Sequence, residues 1–219
     1  MFFEALEVIR RAWGEAPFSF SGEYYTFQNV NVIPKPYQKP HPPIRIACES
    51  RSSFARMGKL GFPILIRHQL ELPELQQLLK EYEAERHRAG FDGPNDVTLQ
   101  ISCYLAETAE QARSEPEYST VRERRIARQL IGGRQGDAEA SQRLGGLGGG
   151  PGGEINYDEL LKRLLYGTPE AIVDRLHEYR ETLGITGVSL NINPGGQIPA
   201  DLVHNSLRLL MERVAPHFK

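Results

Sequence analysis

The sequence predicts an α/β fold built from parallel βαβ units. Three observations carry this expectation: short apolar runs recur along the chain with Pro or Gly at their borders, helical runs with three- and four-residue apolar spacing lie between them, and no repeat of solenoid period is present. Strands alternating with helices at this spacing imply parallel pairing through right-handed crossovers. One domain is the expected count.

The elements follow in order. Phe3, Leu6, Ile9 and Trp13 mark the apolar stripe of a first helix. Tyr24 to Phe27 and Val30 to Ile33 read as short extended pieces in an excursion rich in Pro and aromatic residues. Pro42 and Pro43 then introduce Ile44 to Cys48, whose apolar character suits a buried parallel strand better than a half-exposed one. A helix with Ser50 as its N-cap runs to Gly61, and Phe62 to His68 forms the second strand. Pro73 to Ala89 is a helix with Leu75, Leu78, Leu79 and Tyr82 on one face, stopped by Gly90. Val97 to Leu105 is the third strand: Val97, Leu99, Ile101 and Cys103 alternate with Thr98, Gln100 and Ser102, so Gln100 and Ser102 are expected on the opposite face. A single helix is expected from about Glu107 to Leu130. Thr168 followed by Pro169 opens another by the cap-then-Pro rule. Gly187 to Asn193 is the fourth strand, and Ala200 to Val214 closes the chain as a helix.

Charged residues make up 25% of the 219, apolar ones 40%, and the formal net charge is −2, a balance without bias toward nucleic acid or membrane surfaces. No apolar run approaches the roughly 20 residues that span a bilayer. Met1-Phe2-Phe3-Glu4 leads into an amphipathic helix without a basic region or cleavage site, so a cytoplasmic protein is expected. Cys48 and Cys103 fall in separate strands and are expected as reduced, buried thiols. The six histidines lack metal-ligand spacing, and no Gly-x-Ser-x-Gly occurs, so metal and hydrolase chemistry have no motif to rest on.

Three segments remain as candidate functional features. Ser50, Arg51, Ser52 and Ser53 place hydroxyls and backbone N–H groups at a helix start, where a phosphate can sit or where the cap is only structural. Residues 132–153 hold a run of glycines in which Gly148, Gly150 and Gly153 formally satisfy G-x-G-x-x-G. No strand precedes them, so a flexible insertion or lid loop is the better reading. Arg122, Arg124, Arg125 and Arg128 form a basic cluster diluted by Glu115, Glu117 and Glu123, which reads first as a solvated face and second as a phosphate- or substrate-capture site.

Ala47-Cys48-Glu49-Ser50-Arg51-Ser52-Ser53 followed by Gly61-Phe62-Pro63-Ile64-Leu65-Ile66 resembles the fifth and sixth strands of the bacterial luciferase-like flavin-dependent monooxygenases. Trp13, Phe20 to Tyr25, Val32 to Pro36 and Gln38 to Ile44 resemble that family's approach to its fifth strand. Gly167-Thr168-Pro169-Glu170 and Gly187 to Asn193 resemble its seventh helix and eighth strand. The resemblance implies a TIM (β/α)8 barrel of which this chain carries about the C-terminal half, the last four strands. It places Met1 inside the fourth helix and makes the chain an N-terminally truncated domain. It further implies an oxidoreductase using reduced FMN, supplied by a flavin reductase, and O2 on a small organic substrate. A deazaflavin-dependent oxidoreductase of the same fold is the alternative, and an inactive half-barrel that at most binds flavin or phosphate is the second. Four strands without closure would leave open edges, so a homo-oligomer or another partner is compatible with this reading. By resemblance Glu49, Ser50 and Ser53 lie at the FMN phosphate, with either the Glu49 backbone or an intervening Arg expected to make the contact at that acid, and His68 flanks the flavin ring. Asn191 and Asn193, at the end of the last strand, are vaguer candidates. The family's catalytic residues would precede Met1.

Overall fold

A computed structural model of the chain describes residues 1–67, 70–132 and 155–218. His68 and residues 133–153 of the glycine-rich segment lie outside the described residues. The chain forms two compact units, residues 1–44 and 45–219.

In the first unit, helix α1 (Phe2–Ala12) is followed by an antiparallel pair, β1 (Phe18–Ser21) and β2 (Thr26–Val30). Glu4 holds the turn between the strands, its carboxylate accepting from the backbone N–H of Tyr24 at 3.0 Å and of Tyr25 at 2.9 Å. Lys35 Nζ donates to the Ala12 carbonyl at 3.0 Å, satisfying one of the acceptors that a helix end leaves over.

The second unit is an α/β layer on a parallel sheet. Its strands are β3 (Ile46–Cys48), β4 (Ile64–Arg67), β5 (Val97–Leu105), β6 (Leu165–Gly167) and β7 (Gly187–Asn191). Thr98, Leu99 and Gln100 pair with both β4 and β7, so these strands flank β5 on opposite sides. The short β6 extends the sheet at the other end of β5, through Cys103, Tyr104 and Leu105. The sheet does not close into a barrel among the described residues.

Helix α2 (Arg51–Leu60) and helix α3 (Leu72–Arg88) link β3, β4 and β5. Phe54 and Met57 from α2 and Leu75, Leu78 and Tyr82 from α3 are buried with Cys48, Ile64, Ile66, Val97 and Leu99. Each such apolar side chain contributes about 1.5–3 kcal/mol on burial. At Gly58 the helices approach so closely that a Cβ would fall into the Tyr82 carbonyl.

The single helix expected over residues 107–130 is two: α4 (Ala109–Ser114), capped by Thr108, and α5 (Glu117–Gly132). Pro116 separates them: Glu115 before it is still helical, but Pro116 has no N–H with which to continue the hydrogen-bond ladder of α4. Helix α6 (Tyr157–Leu161) leads into β6, a strand the sequence reading missed. Helix α7 (Pro169–Leu183) buries Ile172, Leu176, Tyr179 and Leu183. The closing helix is also shorter than expected. It is regular as α8 (Ala200–Leu209) and widens to a π turn over Leu210–Val214. Ser206 on α8 accepts the Leu105 N–H at 2.8 Å, fixing that helix to the central strand.

Candidate functional site

Parallel register decides which side chains share a face, because successive residues on a strand point to opposite sides. Ala47 pairs with Leu65, Leu65 with Thr98, Arg67 with Gln100, Gln100 with Ser189 and Ser102 with Asn191. These residues make the second face of the sheet, opposite the one covered by α2 and α3. It is increasingly polar toward the strand ends, and Ala47, Arg67 and Ser189 are exposed on it. The alternation in β5 anticipated this placement of Gln100 and Ser102.

Across the strand ends runs a connected row. Arg67 Nε donates to Gln100 Oε1 at 2.8 Å, and Arg67 Nη1 lies 3.5 Å from Glu49 Oε1. The row continues into a cavity of about 150 Å³ lined by Arg67, Gln100, Ser102, Glu123, Arg124 and Asn191, with Leu160, Arg163 and Leu164 on its far wall. Asn191 Nδ2 donates to Glu123 Oε1 at 3.5 Å, and Arg124 Nε stands 3.9 Å from Glu123 Oε2. Arg163 is ion-paired with Glu71.

Beside the row, β3 runs through Glu49 into the start of α2. Ser50 is its N-cap in extended conformation, yet the Ser50 hydroxyl makes no cap hydrogen bond. It lies 3.3 Å from the Ser52 hydroxyl instead. No acidic residue occupies the first turn, so the positive end of the helix is not neutralised within the helix. Ser53 is committed differently, its hydroxyl donating to the Ser50 carbonyl at 2.5 Å. Burial pushes the Cys48 thiol up to about 11, against a smaller opposing effect of the Ser53 hydrogen bond. Cys103, held only by burial, is pushed up to about 12. Both are free thiols in the interior.

The structure thus brings Glu49, Ser50 and Ser53 together and sets Arg67 beside Glu49. It separates the two asparagines: Asn191 lines the cavity, whereas Asn193 Oδ1 accepts from Ile198 N–H at 3.2 Å and shapes the turn after β7. The arginine cluster divides as well. Arg124 faces the cavity, Arg122 donates to the Gly195 carbonyl at 3.3 Å, and Arg125 is exposed. Gln100 was placed on its face from the sequence but given no role, and Arg67 and Arg163 were not singled out. Period-two alternation could have flagged Arg67 as well, but nothing in the sequence marks Arg163. Among the described residues no group of three or more His, Cys, Asp and Glu is arranged to hold a metal ion, and no helix is long and apolar enough to cross a membrane.

Residues 1–186 match the luciferase-like monooxygenase family. The chain belongs to that family. The luciferase-like chain is 25% identical over 210 residues to the alkanal monooxygenase alpha chain of Photobacterium leiognathi, a match covering 90% of this chain and 58% of that one. Its fold is shared with the monooxygenase RslO1 from Streptomyces bottropensis, with a TM-score of 0.70 and 24% identity over 100% of this chain and 61% of the other. It is shared too with the oxygenating constituent of 3,6-diketocamphane monooxygenase from the CAM plasmid of Pseudomonas putida, solved in complex with FMN, at TM-score 0.69, 18% identity, and coverage of 99% and 62%. An F420-dependent secondary alcohol dehydrogenase in complex with an F420–acetone adduct has TM-score 0.68 and 16% identity, with coverage of 99% and 60%. The luciferase-like chain therefore spans about three fifths of the length of these relatives.

Proposed function

We propose that this chain is the C-terminal, flavin-phosphate-binding half of a luciferase-like barrel and serves an oxidoreductase that uses reduced FMN and O2 on a small organic substrate. The observation that carries the phosphate site is the N-cap Ser50 hydroxyl, which makes no cap hydrogen bond and stands with Ser52 at an acid-free helix start. A phosphate would take donors from these hydroxyls and from the first-turn N–H groups. Ser53 must turn its hydroxyl from the Ser50 carbonyl to join them. Glu49 is the adverse charge nearby, and Arg67 offsets it from 3.5 Å.

A bound flavin would supply the redox chemistry, and the residues of this chain would bind and orient it. Arg67 and Gln100 are fixed by their mutual hydrogen bond at the strand ends and would face the ligand as a pre-set polar edge. The adjoining cavity is the place for the substrate. Likeness to an F420-dependent dehydrogenase supports a second reading, a deazaflavin at the same phosphate site.

Replacing Ser50 and Ser53 together by Ala should weaken FMN binding and leave riboflavin binding unchanged, because only FMN carries the phosphate. Equal losses for both ligands would remove the assignment. Substrate-dependent O2 consumption with reduced FMN supports the monooxygenase. Turnover with a reduced deazaflavin alone supports the alternative, and binding without turnover supports a half-barrel that only binds.

A further inference from the structure

The cavity beside the proposed flavin site carries an imbalance that the flavin reading does not use. Three of its four ionised lining side chains are arginines. Arg67 is engaged by Gln100 and Glu49, and Arg163 by Glu71. Arg124 is not comparably engaged. Its side chain is 19% exposed, and its ion pair with Glu123 has a separation of 3.9 Å. Arg124 Nε and Glu123 Oε2 are both buried and both lack a hydrogen bond among the described residues. Charge-assisted hydrogen bonds of this type normally close to about 2.7–2.9 Å. A buried guanidinium N–H left at that distance, as Arg124 Nε is, loses hydration without recovering a bond.

We propose that this cavity is a carboxylate subsite for a compact substrate, with Arg124 as the recognising group and Glu123 as a loosely held internal counter-ion. This rests on reading the cavity as the substrate's place. An incoming carboxylate would take the Arg124 N–H groups at proper distance, with Arg67 and Arg163 adding positive potential. Glu123 opposes it by like charge and thereby limits affinity. A volume near 150 Å³ suits a ligand of about six heavy atoms, since an engineered apolar cavity of that size takes benzene. Butanoate has this size, and butanamide is its neutral counterpart.

The test is titration of the full chain with both compounds, followed by calorimetry and by the Arg Nε–H resonances. Butanoate should bind at least about tenfold more tightly than butanamide, the effect of one charge-assisted hydrogen bond. Arg124→Gln should abolish that preference, and Glu123→Gln should increase it several-fold. Should Arg124→Gln fail to fold, the wild-type Arg124 Nε–H signal decides: it shifts with butanoate and not with butanamide. No preference in the wild type, a preference surviving in Arg124→Gln, weaker butanoate binding in Glu123→Gln, or an unmoved Arg124 signal each overturns the subsite. Arg124→Gln should keep the FMN-over-riboflavin preference. Its loss would assign the cavity to the flavin phosphate and overturn the substrate role. A chain that binds butanoate but not FMN keeps this subsite and loses the flavin reading.

Discussion

Arg67 on β4 donates from Nε to Gln100 Oε1 on β5 at 2.8 Å, across a pair that the parallel register sets side by side. The same guanidinium faces Glu49 at the end of β3. One side chain therefore joins three strands on the polar face and compensates the acid that precedes the proposed phosphate site.

Arg67→Met should change the unfolding free energy by less than about 1 kcal/mol, because the side chain is half exposed and pairs of that kind contribute little. FMN affinity should fall several-fold and riboflavin affinity much less, since Glu49 would face the phosphate uncompensated. Flavin fluorescence titration checks both, and equal losses would count against the placement of the phosphate.

The two serines should separate. Ser50→Ala removes a hydroxyl that makes no cap hydrogen bond, so stability should hardly move while FMN binding weakens. Ser53→Ala removes a part-buried hydrogen bond to the Ser50 carbonyl and should cost about 1 kcal/mol as well. Urea midpoints beside FMN titrations distinguish the two outcomes.

Gly58→Ala should destabilise by about 1–3 kcal/mol, the usual range for overpacking, because the added Cβ meets the Tyr82 carbonyl rather than a side chain that can swing away. A reduced denaturant midpoint with an unchanged slope is the expected result. An unshifted midpoint would mean that α2 and α3 stand farther apart.

Both thiols are held protonated in the fold, Cys48 at about 11 and Cys103 at about 12, with burial as the main cause. An unfolded cysteine ionises near 8.5. Over the interval between the unfolded and folded values the native state binds more protons, so stability falls as pH rises. The contribution should be complete at neutral pH and decline from about pH 9 toward 11–12. Stability measured against pH should show that decline, and Cys48→Ala should flatten part of it. Native-state alkylation at pH 8 should be far slower than in denaturant.

Much of this architecture was legible in the chain. β3 and β4 announced themselves by apolar runs and β5 by strict alternation, while β7 was placed through its resemblance to the family's eighth strand; Thr168-Pro169 and Gly184 bracketed α7. β6 has three residues, too few to show any period. The Pro116 break was overridden in the reading by helix-forming residues on both sides. The Glu49, Ser50 and Ser53 cluster was visible because it is local. The cavity was not, since it joins residues as distant as Arg67, Arg124, Arg163 and Asn191: strand register sets Arg67 and Asn191 against β5, and the packing of α5 and of the turn before β6 adds Arg124 and Arg163. That same register explains why Arg67 and Gln100, 33 residues apart, could not be matched in advance.

The position of β5 between β4 and β7 also has a consequence in time. During synthesis, β4 can pair with β5 soon after Leu105 has emerged, but the opposite flank waits for Gly187–Asn191, about 80 residues later. At about 5–20 residues per second, this leaves the hydrogen-bonding edge of the central strand without its partner for roughly 4–16 s. The length of chain between those two strands therefore sets how long that edge of the nascent protein stays open to pairing with other strands.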